Sequence, residues 1–446
     1  MKNGYSKAAL FLASQAVTLL GSSVVQFAII WYVTLKTESG SWVALLSAAA
    51  YIPQFLISFF AGVWADCYPR KRLIIAADGI IAAATLALVL LLPQISRNET
   101  VYIALVVISV IRSLGTGIQT PAVNATVPQL VEEAHLMKFN GINATVQSVV
   151  QFAAPAIAGS ILTWGSFRGA LMVDTVTAMV GIGLLGSIAV PFEKRTDTAP
   201  VFSEIQEGFR YAAREDFLGK LILLFGLFIF LCVPAGFLAT LFVSRYYGDT
   251  YLHMTLVEVI GFLGMLAGGL LISTWGGFKL QTKTFLVGIM SFGLLAILMG
   301  LVNNFYVYLA LMAVYGIALT MVQTASTTLL QESSTPEMVG RVFGLFGAAY
   351  SSCLPIGMVV FGLLADRISM RLLMIMLAVK HIVYAATATD LHRIHLQQIK
   401  VGCCSTDVLL GQIPLIFLVR NQVANWYFFK MNIRDELVKI LHDRPP

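Results

Sequence analysis

Charge is what this sequence has least of. Only 12% of its 446 residues are Asp, Glu, Lys or Arg, about half the share of an ordinary soluble chain. A water-facing surface for a protein of this length is excluded by that shortage. Cysteine is scarce as well. The five residues, Cys67, Cys232, Cys353, Cys403 and Cys404, show neither metal-ligand spacing nor a disulfide framework. No glycine-rich phosphate loop ends in Lys-Ser or Lys-Thr, so ATP-driven work has no support. No nucleophile elbow and no His/Cys cluster appears. The chain therefore does not read as an enzyme, and no cofactor or metal is expected. The net charge of +6 is dispersed through short loops and is not a nucleic-acid footprint.

What the sequence does have is apolar length. It is 58% hydrophobic, and its apolar residues fall in runs of about twenty, enough to cross a bilayer core of ~30 Å as a helix. The runs predict six helices over 8–35, 42–65, 73–92, 101–122, 141–163 and 169–191. A polar linker, 192–218, follows. Five more helices are predicted over 219–243, 255–275, 284–302, 305–329 and 342–365, with a poor twelfth candidate over 372–389. The fold class is an all-α polytopic membrane protein, embedded in the lipid bilayer. The first run is too long for a cleavable signal, and no small-residue cleavage site follows it. Loops on the side of the N-terminus, including Lys2, Lys7, Arg70, Lys71, Arg72, Lys194, Arg195, Lys279 and Lys283, hold more than twice the cations of the opposite loops. The positive-inside rule then puts the N-terminus in the cytoplasm. Within the linker, Ser203-Glu-Ile-Gln206 has the form of a capping box before an apolar stripe of Ile205, Phe209 and Ala213, which predicts an amphipathic helix.

A faint internal repeat is visible. Gly141 and Gly159 bracket the fifth run at the same separation as Gly344 and Gly362 bracket the eleventh, and Pro155 and Pro355 fall near matching depths. Small residues also let membrane helices approach closely, so packing alone is the competing explanation.

The loop after the second run reads Gly62-Val-Trp-Ala-Asp66-Cys-Tyr-Pro-Arg70-Lys71-Arg72. It resembles the loop between the second and third helices of major facilitator superfamily transporters. The match departs from the family at Cys67, usually Arg, and at Pro69, usually Gly. The resemblance implies a fold of two six-helix halves, 1–191 and 219–375. It also implies a gating role for Gly62, Asp66, Arg70 and Lys71. Gly62 would allow close helix contact, Asp66 would face a helix N-terminus, and Arg70 would pair with Glu132 or Glu133. The plain alternative is a basic cytoplasmic loop. A similar string, Gly362-Leu-Leu-Ala-Asp366-Arg367, ends the eleventh run. By segment parity it lies on the opposite side, and it reads as a helix end without a gating role.

Four charges stand out inside apolar runs: Asp78, Arg112, Asp174 and Glu258. Such groups default to functional hypotheses because they are expensive in a membrane. Family members carry an Arg followed closely by glycines where this chain has Arg112-Ser-Leu-Gly115, and the resemblance associates it with proton coupling. The structural alternative is a fixed ion pair between two helices. Asp174 and Glu258 are candidate protonatable or cation-binding groups, although Glu258 also lies near a helix end. Asp78 is assigned a structural ion pair with inner-side cations such as Arg72. Gln15, Gln26, Trp31, Tyr51, Gln54 and Gln119 either line a sparsely polar pocket or serve as core and interface residues.

Further stretches narrow the resemblance. They are Ser14-Gln-Ala-Val-Thr18, Ile111–Thr116, Thr120-Pro-Ala-Val-Asn124, Gly264–Leu270 and Gly340-Arg-Val-Phe343. With these the chain resembles the macrolide-efflux branch of drug/proton antiporters, which also contains tetracycline exporters. That implies a monomer in a bacterial cytoplasmic membrane, exporting a hydrophobic small molecule in exchange for protons. A siderophore or lipid exporter, and a non-transporting scaffold or signalling protein, are the alternatives. After about Ile375 the resemblance ends. Four of the six His and two of the five Cys lie beyond it. Segment 376–446 is read as an atypical, out-of-frame tail that damages the twelfth helix, with Lys380 and His381 at its centre.

Overall fold

A backbone in hydrocarbon must satisfy its own hydrogen bonds, so long apolar runs become helices. The computed structural model describes residues 2–130, 136–190, 210–211, 214–248, 250–335 and 338–387. The first half contains α1 (Lys2–Thr37), α2 (Gly40–Cys67), α3 (Arg70–Leu91), α4 (Asn98–Leu130), α5 (Leu136–Trp164) and α6 (Phe167–Gly186). The second contains α7 (Asp216–Cys232), α8 (Ala239–Tyr246), α9 (Tyr251–Trp275), α10 (Gln281–Leu301), α11 (Phe305–Ser333), α12 (Val339–Ala365) and α13 (Met370–Thr387). Ten of these helices are long and apolar enough to cross a membrane. Their outward faces carry large apolar side chains such as Leu90, Ile103, Met179, Leu223, Leu270 and Leu294. An apolar surface that extensive needs lipid against it.

Local chemistry sets where the helices begin and stop. Ser166 caps α6 by accepting from the Gly169 N–H at 3.0 Å. Asn304 caps α11 by accepting from Tyr306 and Val307. Both leave fewer orphan donors at a helix start. The α9 helix stops at Gly276, whose φ of 75° is left-handed.

The seventh run, expected as one helix over 219–243, is two. Pro234 has no N–H to donate and its ring crowds the preceding turn. The chain loosens over 233–238, where Leu238 N–H reaches back to Val233 C=O at 2.9 Å, and then restarts as α8.

The twelfth helix, expected to be damaged, forms as α13. Its buried residues Met370, Leu373, Met374, Leu377, Ala378 and His381 make one stripe at helical spacing. His381 takes a core position, with its ring 5.5 Å from that of Phe228 and 5.3 Å from that of Phe292. The rest of the tail, the linker helix predicted at Ser203, and Glu132 and Glu133 lie outside the described residues.

The two halves share one packing scheme. In the first, α1 packs on α5, α2 on α4, and α3 on α4 and α6. In the second, α7 packs on α12, α9 on α11, and α10 on α11 and α13. Between the halves, α2 crosses α12 and α5 crosses α9. Of the aligned glycines, Gly159 and Gly362 sit at these crossings, whereas Gly344 meets no neighbouring atom within 4 Å. A Cβ on Gly40 would meet the Gly362 carbonyl oxygen at 2.2 Å, and one on Gly159 would meet Thr255 Oγ1 at 1.7 Å. Duplication explains why equivalent glycines contact equivalent helices, which packing alone does not require. Both crossings lie at the face that carries the α1–α2 connection. Gly40→Val is therefore expected to lower the melting temperature of the purified protein, since overpacking costs about 1–3 kcal/mol. A parental melting curve would contradict this crossing.

Candidate transport site

A cavity of about 560 Å³ lies between the halves. Helices α1, α2, α4 and α5 line one side, and α7, α9, α11 and α12 the other. Its wall is mostly aromatic and aliphatic with a few amides and hydroxyls. Gln26, Trp31, Tyr51 and Gln54 line it, as one of the two sequence alternatives held. Gln15 and Gln119 do not. Gln15 donates to Ser14 Oγ at 3.2 Å, and Gln119 donates to Asp78.

Two of the intramembrane charges meet behind the cavity wall, where Arg112 lines the cavity and Asp174 does not. Arg112 on α4 and Asp174 on α6 form a buried ion pair, with side chains 6% and 2% exposed. Ser22 Oγ of α1 donates to Asp174 Oδ1 at 3.0 Å, and Thr85 of α3 contacts Asp174 Oδ2 at 3.0 Å. Arg112 also donates to Thr85 Oγ1 and to the Ser22 carbonyl, both at 3.0 Å. Four helices thus converge on one charge pair. Its hydroxyl and carbonyl partners reduce the desolvation cost of burying it. The Arg112 Nε has no partner among the described residues. Sequence reasoning named Arg112 and Asp174 separately and missed Ser22 and Thr85, because nothing in the sequence brings α1, α3, α4 and α6 to one depth.

Asp78 has no ion pair among the described residues. Its Oδ1 accepts from Gln119 Nε2 at 2.8 Å across α3 and α4, and the expected partner Arg72 is exposed. Six residues, nearly two turns, separate Arg72 at the helix start from the buried Asp78, so the nearer amide takes the carboxylate. Gln119→Leu is expected to destabilise the protein by about 1–3 kcal/mol, because a buried acceptor loses its donor. Asp78→Asn keeps the contact and is expected to cost less. Thermal denaturation of the two variants checks the ordering.

Glu258 lies on the second turn of α9 and faces the cavity. The loop cations act within the first half. Arg70 donates to the carbonyls of Ala65 at 2.9 Å and Ala125 at 2.6 Å. Lys71 donates to the carbonyls of Gly186 and Ile188, each at 2.7 Å. They tie α2, α4 and the end of α6 at the α2–α3 face, and Lys71 completes the carbonyl-rich end of α6. The Gly62 and Asp66 positions end α2, and the Asp66 side chain lies outside the described residues.

The second motif copy does more than end a helix. Asp366, just past α12, accepts from the N–H groups of Gly40 at 2.6 Å and Ser41 at 2.7 Å, and from the hydroxyls of Ser39 and Ser41. It also pairs with Arg245 of α8 at 2.6 Å. Arg245 in turn donates to the Glu38 and Ala365 carbonyls. The cluster latches the halves together at the α1–α2 face, beside the Gly40–Gly362 crossing. Burial pushes the Asp366 carboxyl up, but the donors from Ser41, Gly40 and Arg245 outweigh it and hold the group well below the usual carboxylate range. The expectation of a plain helix end gives way here to a tie between the halves. Segment parity placed Asp366 on the correct face, but sequence alone does not show that the N-terminus of α2 lies opposite it.

The fold, the paired cavity walls and the repeated crossings set the terms for comparison with known proteins. The Major Facilitator Superfamily profile matches residues 11–357. The chain belongs to the Major Facilitator Superfamily. It is 31% identical over 364 residues to Macrolide efflux protein A of Streptococcus pyogenes, covering 80% of this chain and 89% of the relative. It is 24% identical over 385 residues to Multidrug efflux pump Tap of Mycobacterium tuberculosis, covering 83% and 89%. Among solved structures, a bacterial homologue of the iron transporter ferroportin in an inward-facing state superposes with a TM-score of 0.65. That pair shares 17% identity and covers 86% of this chain and 98% of the other. At that identity the likeness speaks for the fold alone. This major facilitator protein is thus a multi-pass membrane transporter with macrolide and multidrug efflux relatives.

Proposed function

We propose that the chain exports a hydrophobic antibiotic of the macrolide or tetracycline class across a bacterial cytoplasmic membrane, in exchange for protons. The observation that carries this reading is the buried Arg112–Asp174 pair, whose Arg112 lines a cavity shared by both halves. With the N-terminus in the cytoplasm, the latched face is the outer one. The molecule then stands ready to receive substrate from within. A proton reaching Asp174 neutralises it and releases Arg112, whose charge must find new partners. That changes which packing of the halves is favoured, and the halves rock about the site. Arg70 and Lys71 hold the inner ends of the first half, and the loop from Gly62 through Asp66 to Lys71 gates that side. No covalent step is assigned to the protein.

Antibiotic accumulation in cells, with and without the gene and a protonophore, tests the reading. Accumulation is expected to be low with the gene and to rise when the proton gradient collapses. Equal accumulation in all arms for macrolides and tetracyclines would overturn it.

A further inference from the structure

We infer that Glu258 is the counter-charge for a cationic group on the substrate, so that the cavity selects amphiphilic cations over neutral or anionic molecules of the same size. The inference rests on the export reading and names the class of substrate.

Only two charged side chains are among the described residues that line the cavity, Arg112 and Glu258. The charge of Arg112 is answered by Asp174. Glu258 has no hydrogen bond and no ion pair among the described residues. The cavity therefore carries one acidic group with no counter-charge among the described residues. A carboxylate left alone at membrane depth is costly, and the cost falls when a cation arrives.

Position strengthens the argument. Glu258 lies one turn along α9 from Thr255, which packs against Gly159 at the closed crossing. It stands about 10 Å along the helix from the α9 start at that face. It thus lies at the blind end of the cavity, under the latch formed by Asp366 and Arg245. Aromatic and thioether side chains share that wall, among them Phe262, Met265 and Met312, and Tyr51 lines the cavity from α2. Ring faces attract a cation as well as an apolar body, whereas an anion gains from neither the rings nor the carboxylate. The amides of Gln26 and Gln54, on the opposite wall, offer neutral contacts to oxygen atoms of a substrate. The cavity thus fits an apolar body with a basic amine at one end.

Direct binding to the purified full-length protein in detergent tests this with tetraphenylphosphonium and tetraphenylborate, which match in size and shape and differ in charge. The phosphonium is expected to bind and the borate to bind at least about tenfold more weakly. Glu258→Gln is expected to weaken phosphonium binding by about tenfold or more, and Glu258→Asp to retain it within about threefold. A purely structural role for Glu258 would not sort probes by charge. Equal binding of the two probes to the parent protein would overturn the inference without any variant. So would unchanged phosphonium affinity in a folded Glu258→Gln protein. Failure of the export reading looks different: charge-selective binding would persist while cells showed no gradient-dependent efflux.

Discussion

Arg112→Met is expected to abolish gradient-driven efflux and to destabilise the protein by about 3–5 kcal/mol, because it strands the Asp174 carboxylate in a buried site. The double variant Arg112→Met, Asp174→Leu separates two roles for the pair. An apolar replacement of both partners removes the stranded charge, so most of the stability is expected to return. Efflux is expected to remain lost, because no titratable group is left where α1, α3, α4 and α6 meet. Thermal melting and drug accumulation, measured on the same three proteins, give the answer. A double variant that still pumps against a gradient would reduce Arg112–Asp174 to a fixed strut between α4 and α6. Asp174→Asn adds a finer arm. It mimics the protonated state without the exchange of a proton, so substrate binding is expected to survive and gradient-driven efflux to fail.

Breaking the latch is expected to have the second largest effect. Asp366→Asn weakens the acceptor that holds the start of α2, Arg245→Gln removes the donors to the Glu38 carbonyl, and each removes the ion pair between α8 and the end of α12. Charge-assisted hydrogen bonds of this kind contribute about 2 kcal/mol. Losing that much shifts the ratio of closed to open molecules roughly 30-fold toward an open α1–α2 face. Spin labels at Trp164, at the end of α5, and Tyr306, at the start of α11, report the change, since both side chains are exposed on that face and belong to different halves. The label-to-label distance is expected to lengthen in both variants. An unchanged distance distribution would mean that the glycine crossings alone close the face.

The latch also has a defined pH dependence. The folded-state Asp366 carboxyl is held below its ordinary value. Its contribution is therefore complete above the ordinary carboxylate value of about 4 and is lost only as pH falls through the lower folded value. Between about pH 5 and 8 the contribution of Asp366 to the Trp164–Tyr306 distance is expected to stay flat. In the proton-exchange reading proposed above, the proton-responsive step is then expected in the membrane interior and not at this face.

The sequence by itself determined the elements and their class. Runs of apolar residues at bilayer length admit only helices, so eleven of the twelve predicted spans could be placed before any coordinates. The break at Pro234 was legible in principle, since proline cannot donate inside a helix. Apolar composition hid it, because hydropathy is blind to backbone geometry. The stripe that builds α13 was written at Met370, Leu373, Met374, Leu377 and Ala378. A composition reading gave the charge of Lys380 and His381 too much weight, when an aromatic pair was waiting for the His381 ring. The four intramembrane charges were equally visible, because their cost in hydrocarbon singles them out at any position. Only the tertiary structure decided their partners. It joined Arg112 to Asp174, gave Asp78 an amide, left Glu258 open to the cavity and turned Asp366 into a tie between halves. Pairing depends on the depth and rotation of helices far apart in the chain. Those are fixed by how glycine-lined faces such as Gly40–Gly362 approach, a relation between distant residues that no local pattern encodes.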